Sequence, residues 1–452
     1  MATTKNAGYT VVVGLGQTGT SCVRFLKKKG VAVIAVDTRQ HPPGLEALHQ
    51  EFPELDFRSG ALDDELFKGA AELVVSPGIA LREPAIQAAI AAGVSVIGDI
   101  TLFRRYVKKD IVAITGSNAK STVTTLVGKL LQDAGMNAMV AGNIGIPVME
   151  LLNQGVDADV YVLELSSFQL EATQDLNARV ATVLNLSEDH MDRYESLEDY
   201  AAAKQRIYHG CDTAVVNRGD RYSAPTVAVS RTFYFGADAP TDQHFGLIEK
   251  NGEIWLSRDH SPLLRASKLK IKGRHNQINA LAALAIGHAM AVPMESMICT
   301  LEEFEGLPHR CQWVANLKGV DWFNDSKGTN VGATLAAIEG IGADIPGRIV
   351  LIAGGEGKDA DFSLLKSAAR KYAKKVILLG RDAELIAAAL GDSVAHSRAR
   401  DLAEAVALAQ QEAQKHDAVL LSPACASFDM FKGFEDRGDQ FMRLVLGMEG
   451  RG

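Results

Sequence analysis

The stretch 111–122, "IVAITGSNAKST", determines how the rest of the chain is interpreted. An apolar, β-branched run leads into a polar loop with Lys120 and Ser121, and a helix-like segment follows. This is the layout of a phosphate-binding loop, in which the lysine neutralises phosphate charge and the hydroxyl sits on Mg²⁺. The two glycine positions of the G-x-x-x-x-G-K-[ST] pattern hold Ile114 and Ala119. Taken alone, the loop is either an ATP site with altered geometry or an incidental strand-to-helix turn.

Ala119 also carries a backbone prediction. A residue with a Cβ atom is strained at positive φ, where glycine is the usual occupant. We therefore expect Ala119 to have a negative φ and to enter the first helical turn beside the phosphates.

Short apolar runs recur along the chain, each followed by a helix-like segment, as in "YTVVVGLG", "VYVLELSS" and "RIVLIAGG". Such alternation is typical of mostly parallel sheets covered by helices on both faces. A chain of 452 residues is too long for one core. We expect an α/β protein with three domains: Rossmann-like at 1–98, P-loop-type ATPase at 99–306, and Rossmann-like at 307–452. The stretch 213–272 is predicted to be a β insertion in the central domain.

The composition excludes several classes of protein. The net charge is -8 and no concentrated Lys/Arg run is present, which argues against nucleic acid or an anionic membrane as the main partner. The five cysteines are scattered, without C-x-x-C spacing, as expected for free thiols in a reducing compartment. No stretch has the length of a signal peptide or a membrane span, so we expect a cytoplasmic protein.

The N-terminal run "VVVGLGQTG" contains G-x-G-x-x-G at Gly14, Gly16 and Gly19, and a second strand ends in Asp37. These glycines let a pyrophosphate approach the backbone and a helix N-terminus, and the acid can bind a ribose or base. A nicotinamide dinucleotide and a UDP-linked ligand both fit this description. A tight turn that binds no ligand is the third interpretation.

Two later strands favour the ATP interpretation of the phosphate loop. In "VYVLELSSFQ", Glu164 interrupts an apolar strand near its carboxyl end, where an acid can hold Mg²⁺. In "VLNLSEDHMD", a polar cluster around His190 ends another strand. His190 is either a second metal ligand or a capping or turn histidine.

Eight motifs occur in the order found in the Mur ligase family: "TGSNAKST", "LELSSFQL", "NLSEDHMDRY", "AAAKQRIY", "GRHNQINALAA", "HRCQW", "NDSKGTN" and "GGEGKD". The whole chain thus resembles these ATP-dependent amide-forming enzymes. "GLGQTG", "SPGI" and the tail "SPACASFDMFKGFEDRG" resemble the branch that adds D-glutamate to UDP-N-acetylmuramoyl-L-alanine. The resemblance implies a carboxylate activated as an acyl phosphate, in cytoplasmic peptidoglycan precursor synthesis.

The resemblance also implies an ATP site, formed by Gly116, Asn118, Lys120, Ser121, Thr122, Asn276, Asn279, Arg310, Asp325 and Lys327. It implies two Mg²⁺ ions, with ligands from Ser121, Glu164, His190 and a CO₂-derived carbamate on Lys204. The catalytic residues would be Lys120, Glu164, His190, Lys204 and Arg310. A lysine among alanines otherwise predicts an exposed helical residue, so the carbamate rests on the resemblance alone. Without the family, Arg310 and Asp325 are interpreted as surface charges, whereas Asn276 and Asn279 share one helical face.

The remaining implied residues would bind the other two substrates. The UDP substrate would contact Gln17, Thr18, Asp37, Thr38, Arg39, Ser76, Pro77, Gly78, Asn143 and His190. D-Glutamate would contact Thr329, Lys358, Ser427 and Phe434, which are otherwise interpreted as loop residues. The expected partners are these small molecules, with no nucleic acid or membrane, and the expected state is a monomer.

Other functions stay open at this point. One is a Mur ligase that adds a different amino acid, and another is a nucleotide-binding regulatory protein without catalysis. An NAD(P)-dependent oxidoreductase using "GLGQTG" is the third, although it leaves Lys120, Glu164 and Lys204 unexplained.

Overall fold

A computed structural model describes residues 8–191, 193–357 and 360–449 of the chain. The chain forms two compact units. The first contains Met1–Leu186, Ser196–Tyr234 and Ala285–Pro293, and the second contains Ser187–Glu195, Phe235–Leu284 and Met294–Gly452. The domain borders expected near residues 98 and 306 stay predictions.

The N-terminal part of the first unit is a five-stranded parallel sheet of order β3-β2-β1-β4-β5. Its strands are β1 (Thr10–Val13), β2 (Val33–Asp37), β3 (Asp56–Ser59), β4 (Glu72–Val75) and β5 (Ser95–Ile97). Its helices are α1 (Gln17–Lys28), α2 (Leu45–Glu51), α3 (Asp64–Lys68), α4 (Pro84–Ala91) and α5 (Asp99–Tyr106). The strand order reverses direction between β1 and β4, and ligands bind beside the carboxyl ends of strands at such a point.

The second sheet of the first unit has the order β11-β10-β9-β6-β8-β7. Its strands are β6 (Asp110–Thr115), β7 (Ala138–Gly142), β8 (Val160–Glu164), β9 (Val180–Val183), β10 (Thr213–Asn217) and β11 (Arg231–Phe235). The accompanying helices are α6 (Lys120–Asp133), α7 (Val148–Asn153), α8 (Ser167–Glu171) and α9 (Leu197–Gln205). Both the phosphate loop and Glu164 therefore lie at carboxyl ends of neighbouring parallel strands.

One apolar core joins these two sheets. Side chains from β1, α1, α5, β6, β8 and β9 belong to the same buried cluster. The rings of Phe103 and Tyr161 meet edge to face at 5.2 Å between centroids. Arg24 on α1 lies 3.3 Å from Glu150 on α7. The parts of this unit that contain the first and the second sheet are thus packed together through both apolar and polar contacts.

The second unit contains an antiparallel meander of β12 (Phe245–Lys250), β13 (Glu253–Arg258) and β14 (Ser261–Arg265). The predicted β insertion therefore exists but begins later than expected. Its first predicted segment, Thr213–Asn217, pairs in parallel with β9 and belongs to the sheet of the first unit. The meander is followed by α10 (Arg274–Ala289) and α11 (Met294–Glu303).

The third sheet, in the second unit, has the order β15-β16-β20-β17-β18-β19, and all its pairs are parallel except β15 with β16. Its strands are β15 (Gln312–Leu317), β16 (Val320–Asn324), β17 (Ile349–Ala353), β18 (Ala373–Leu378), β19 (His396–Arg398) and β20 (Ala418–Leu421). Its helices are α12 (Val331–Asp344), α13 (Leu365–Tyr372), α14 (Ala383–Leu390), α15 (Leu402–Glu412) and α16 (Phe434–Glu449).

Alternate residues of this sheet enter two separate cores. Leu351 joins the core under α12, α13 and α14, whereas its neighbour Ile352 joins the core under α15 and α16. Both faces are therefore covered, as predicted for a doubly wound sheet, and the α/β fold with mostly parallel sheets is confirmed. In the described part of the chain, no helix has both the length and the apolar character needed to cross a bilayer.

Candidate active site

The loop between β6 and α6 closes around its own lysine. Lys120 is the first residue of α6, and its Nζ donates to the carbonyl oxygens of Gly116 at 2.8 Å and Ser117 at 2.9 Å. Ser121 and Thr122 are buried in the first helical turn. The ammonium group and the first-turn hydroxyls thus lie at the positive end of a 14-residue helix, where phosphate groups bind favourably.

Ala119 does not have the predicted backbone conformation. Its φ is +64° and its ψ is -2°, so the expectation of a negative φ is wrong. Ala119 precedes the helix as its N-cap, and its carbonyl accepts the amide of Val123 at 3.0 Å. A left-handed alanine costs about 1–2 kcal/mol, which the surrounding bonds must offset.

Asn185, which follows β9, supplies several of those bonds. Its Oδ1 accepts the amide of Asn118 at 2.8 Å, and its Nδ2 donates to the Asn118 carbonyl at 3.2 Å. Its own carbonyl accepts the amide of Ser117 at 2.9 Å. Sequence reasoning missed this residue, although an asparagine directly after the apolar run "VATVL" was a usable signal. Asn185 holds the loop in one conformation.

Glu164 is the last residue of β8, and only one of its two carboxylate oxygens accepts a hydrogen bond from the described residues. Its Oε1 accepts Nδ2 of Asn143 at 3.0 Å, and its carbonyl accepts the Asn143 amide at 2.8 Å. Its Oε2 is buried and has no hydrogen-bond partner among the described residues. An orphaned buried carboxylate oxygen is costly unless a cation binds it. Gly142 permits this approach, since a Cβ there would lie 2.3 Å from the Glu164 carbonyl.

The donor set fits Mg²⁺. Within the described ranges, no group of three or more His, Cys, Asp and Glu side chains could hold a metal by itself. Mg²⁺ usually takes one or two protein oxygens and completes its shell with phosphates and waters. The unpaired oxygen of Glu164 and the hydroxyl of Ser121 match that requirement.

Lys204 lies inside the first unit near the end of α9. Only 1% of the residue is exposed, so the exposed lysine suggested by its alanine neighbours is wrong. Its Nζ donates to the Gly116 carbonyl at 2.9 Å, and Thr115 Oγ1 lies 3.4 Å away. The same nitrogen lies 4.6 Å from the ring centroid of Tyr200. The Gly116 carbonyl is thus shared by Lys204 and Lys120.

Asp37 at the end of β2 is saturated by hydrogen bonds. Its carboxylate accepts the amides of Leu15 and Arg39, at 2.7 and 2.9 Å, and the Nε and Nη2 of Arg39, at 2.9 and 2.8 Å. The Arg39 guanidinium lowers the pKa of Asp37 to about 2. A carboxylate has about four acceptor positions, so Asp37 has none left for a ribose diol.

The other residues predicted for the UDP substrate surround the carboxyl ends of β1 and β4. Ser76 Oγ donates to the Gly14 carbonyl at 2.6 Å and thereby joins the two loops. Gly19 must be glycine, because a Cβ there would lie 1.8 Å from that carbonyl. Gln17 and Thr18 lie in the first turn of α1, and Pro77 and Gly78 follow Ser76. Thr38 and Arg39 follow β2 and are exposed.

The second unit places His190 beside an acid. His190 has a φ of +58°, and its side chain is 40% exposed. Asp189 Oδ1 accepts the His190 amide at 3.0 Å, and Asp189 Oδ2 lies 3.7 Å from His190 Nε2. The same Oδ2 accepts Nδ2 of Asn330 at 3.1 Å. The histidine therefore lies in a constrained turn, and its metal role stays a prediction.

Asn276 and Asn279 lie on one face of α10, as their spacing predicted. Asn279 Nδ2 donates to Asn276 Oδ1 at 3.0 Å, and Asn276 Nδ2 donates to the Lys272 carbonyl at 2.8 Å. Both residues are buried. Their arrangement is fixed, while their contact with a nucleotide stays a prediction.

Asp325, directly after β16, is buried and not the surface charge that its loop alone suggested. Its carboxylate accepts Ser422 Oγ at 2.7 Å and the Cys311 amide at 3.1 Å. Burial raises the pKa of Asp325 to about 6. Burial therefore destabilises the ionised carboxylate of Asp325, and this energetic cost is present at pH 7.

The loop after Asp325 contacts the tail of the chain. Lys327 Nζ lies 3.8 Å from the ring centroid of Phe434, and His309 meets the same ring edge to face at 6.1 Å. A residue predicted for the nucleotide and one predicted for D-glutamate are thereby neighbours. Arg310 lies between two left-handed residues, His309 and Cys311, with φ values of +62° and +47°.

Arg437 on α16 organises this region, and sequence reasoning missed it. The residue is 1% exposed, and burial lowers the pKa of its guanidinium to about 10. It donates to Ser326 Oγ at 2.9 Å, to the Ser326 carbonyl at 2.8 Å and to the Cys425 carbonyl at 3.2 Å. The guanidinium thus ties the loop after β16 to the loop after β20.

Of the three other residues predicted to bind D-glutamate, the structure describes two. Ser427 is buried in the loop after β20. The Thr329 amide donates to the Lys327 carbonyl at 2.8 Å. Lys358 lies outside the described residues. Which amino acid these positions bind is not decided by their geometry.

A phosphate loop with a lysine, next to an acidic strand end on parallel sheets, defines a nucleotide-binding α/β protein. Residues 8–98 match the MurD-like N-terminal domain of Mur ligases, residues 114–287 the Mur ligase middle domain, and residues 309–425 the Mur ligase glutamate ligase domain. This chain belongs to the Mur ligase family, and the resemblance seen in its motifs is confirmed.

Individual proteins agree with this assignment. The UDP-N-acetylmuramoylalanine–D-glutamate ligase of Pseudomonas putida KT2440 is 54% identical, over 97% of this chain and 98% of its own. The enzyme of that name from Marinobacter nauticus VT8 is 51% identical, over 97% of this chain and 98% of its own length. Among solved structures, MurC from Thermotoga maritima has a TM-score of 0.59 at 18% identity, covering 98% of this chain and 100% of that one. MurF from Acinetobacter baumannii has a TM-score of 0.61 at 17% identity, and the match covers 98% of this chain and 93% of the MurF chain.

The left-handed alanine makes a testable prediction about stability. Ala119→Gly should stabilise the protein by about 0.5–1 kcal/mol, since relief of strain exceeds the extra entropy of an unfolded glycine. Ala134 ends the same helix at a φ of -83°, so Ala134→Gly should destabilise by a similar amount. Urea unfolding of both variants measures this. Destabilisation of both variants would show that Ala119 is unstrained.

The buried acid makes a prediction about pH. The folded pKa of Asp325 is about 6 and its ordinary value is 3.8, so burial of the carboxylate costs up to about 3 kcal/mol above pH 6. Asp325→Asn should be more stable than the parent at pH 8, and the gain should disappear as pH falls from about 6 to 4. Urea unfolding at several pH values tests this, with exposed Asp392→Asn as the control. A stability difference independent of pH would contradict the assignment.

Proposed function

We propose that this chain joins D-glutamate to UDP-N-acetylmuramoyl-L-alanine at the expense of ATP, in the synthesis of peptidoglycan precursors. The observation that carries the proposal is the 54% identity, over 97% of the chain, to a protein named for this reaction. The match of residues 309–425 to a glutamate ligase domain supports the choice of amino acid.

The proposed reaction explains why an ATP site is needed. A carboxylate oxygen of the UDP substrate attacks the γ-phosphorus, and the bond to ADP breaks. The amine of D-glutamate then attacks the acyl carbon, loses a proton and displaces phosphate, which leaves an amide. The chain's own task is to position these groups and to neutralise charge. Lys120 and the N-terminus of α6 supply positive charge beside the expected position of the negatively charged triphosphate.

Mur ligases use ATP and Mg²⁺, and the residues described above fit that ion. Glu164 Oε2 and the Ser121 hydroxyl would hold one Mg²⁺, and His190 would contribute to a second. Bound Mg²⁺ would neutralise the phosphate oxygens and polarise the γ-phosphoryl group. Asn143 orients Glu164 by donating to Oε1, which leaves Oε2 directed away from that bond.

The carbamate proposed for Lys204 has a physical rationale. Two ammonium groups that share the Gly116 carbonyl repel each other, and burial strengthens that repulsion. Addition of CO₂ to the amine of Lys204 forms a C–N bond, releases a proton and yields an anion. The repulsion from Lys120 then becomes attraction, and an additional anionic oxygen becomes available to a metal.

The hydrogen bonds to Asp37 disfavour a ribose at this acid, for a nicotinamide dinucleotide and a UDP ligand alike. The acid of a dinucleotide site must accept hydrogen bonds from the ribose hydroxyls. Here Leu15 and Arg39 occupy its acceptor positions. Arg39 and the exposed Thr38 are left to contact the base. A monomer that binds these small molecules in the cytoplasm completes the proposal.

Phosphate release measured with different amino acids tests the function. With UDP-N-acetylmuramoyl-L-alanine, ATP and Mg²⁺, we expect stoichiometric phosphate release with D-glutamate, and background release with L-alanine, L-lysine or diaminopimelate. Release with one of the other amino acids would assign a different ligase. NAD(P)H-dependent absorbance change without phosphate release would contradict the whole proposal.

The carbamate makes its own prediction. Protein equilibrated with ¹³C-bicarbonate should show a carbamate carbon by NMR, and Lys204→Arg should lack it. Activity of Lys204→Arg should fall by about 10²-fold or more, because a catalytic electrostatic group is lost. Exposed Lys109→Arg serves as the control and should retain both signal and activity. An identical carbamate signal in the Lys204 variant would refute the assignment.

A further inference from the structure

Asn330 uses the two atoms of its amide for two different tasks. Its Oδ1 accepts the Ala333 amide at 2.8 Å and so caps the N-terminus of α12. Its Nδ2 donates to Asp189 Oδ2 at 3.1 Å. A helix cap needs an acceptor alone, which serine, threonine or aspartate also provide. The donor to Asp189 is therefore what distinguishes asparagine from the other good capping residues.

Asp189 connects this bond to His190. Its Oδ2, which accepts from Asn330, lies 3.7 Å from His190 Nε2, and its Oδ1 accepts the His190 amide at 3.0 Å. His190 is left-handed at +58°, and its carbonyl accepts the Arg193 amide at 2.9 Å. A strained turn of this kind persists when surrounding bonds hold it. The Asn330–Asp189 bond is one such constraint, and it comes from a distant part of the chain.

The same helix also contacts the asparagine pair of α10. His275 bonds to the backbone of Ala336, and a Cβ at Gly340 would lie 2.3 Å from His275 Nδ1. His275 directly precedes Asn276, which bonds to Asn279. Helix α12 therefore holds both the His190 turn at its N-terminus and the start of α10 along its length.

We propose that Asn330 is a positioning residue that fixes His190, through Asp189, in the orientation needed for the second metal ion. This inference rests on the proposed function, in which His190 contributes to that ion. Residues that orient a metal ligand without touching the metal change metal affinity by about 10- to 100-fold when they are replaced. Asn330 thereby links the metal turn to the helix that also supports the asparagine pair of α10.

The variant Asn330→Ser separates the two tasks, because serine keeps the cap and loses the donor to Asp189. The probe is Mn²⁺ binding, followed by electron paramagnetic resonance in the presence of a non-hydrolysable ATP analogue. We expect the weaker of two Mn²⁺ sites to lose about 10-fold in affinity. The Mg²⁺ concentration for half-maximal ligase activity should rise similarly.

Asp401→Ser is the matched control, since Asp401 caps α15 by accepting the Glu404 amide at 2.8 Å. It should leave Mn²⁺ binding and activity unchanged, and both variants should melt close to the parent. Asn330→Asp, which also caps, should weaken Mn²⁺ binding likewise if Asn330→Ser folds poorly. Parental Mn²⁺ affinity in folded Asn330 variants would overturn the inference. A parent protein that binds Mn²⁺ without D-glutamate-dependent turnover would instead refute the proposed function.

Discussion

The carbonyl oxygen of Gly116 is the contact on which the first unit's site depends. It accepts Nζ of Lys120 at 2.8 Å and Nζ of Lys204 at 2.9 Å. One lysine begins α6 and the other lies near the end of α9, so this oxygen fixes two helix ends relative to the phosphate loop. Because both lysines are cationic in their ordinary state, the arrangement favours anions beside it. The triphosphate and the carbamate proposed for this site would each supply that negative charge.

The loop keeps its shape through backbone contacts from neighbouring strands. Asn185 holds Asn118 from both sides, and this bracing supports the left-handed Ala119. In the second unit, loops are likewise held by a buried polar side chain, which is here a guanidinium rather than an amide. Arg437 is buried and donates to carbonyls in two loops that carry residues predicted for the nucleotide and the amino acid. In both units, buried polar groups hold in place the loops that carry the predicted catalytic and binding residues.

Much of the fold could be predicted from sequence, because parallel strands buried on both faces appear as continuous apolar runs. The phosphate loop, Glu164 and the (i, i+3) pair of Asn276 and Asn279 were likewise visible as local patterns. Residues whose roles depend on partners far away in the sequence were not visible as local patterns. The burial of Lys204 and the contacts of the Arg437 guanidinium arise from residues far apart in the sequence, which no local pattern encodes. Asn185 had a local signal, its position directly after an apolar run, but its partners in the phosphate loop were not visible. The conformation of Ala119 was predicted wrongly because local strain was judged without those contacts. Thr213–Asn217 was misplaced because a parallel strand and a hairpin strand look alike over five residues.

The proposed acyl phosphate joins the substrate carboxylate to the γ-phosphoryl group of ATP, so an oxygen label in the carboxylate can detect it. UDP-N-acetylmuramoyl-L-alanine labelled with ¹⁸O in its carboxylate is turned over with ATP and D-glutamate, and the released phosphate is analysed by mass spectrometry. If a carboxylate oxygen attacks the γ-phosphorus, that oxygen leaves with phosphate, so each phosphate should carry one ¹⁸O atom from the substrate. Phosphate without label, formed together with the amide, would rule out an acyl-phosphate intermediate.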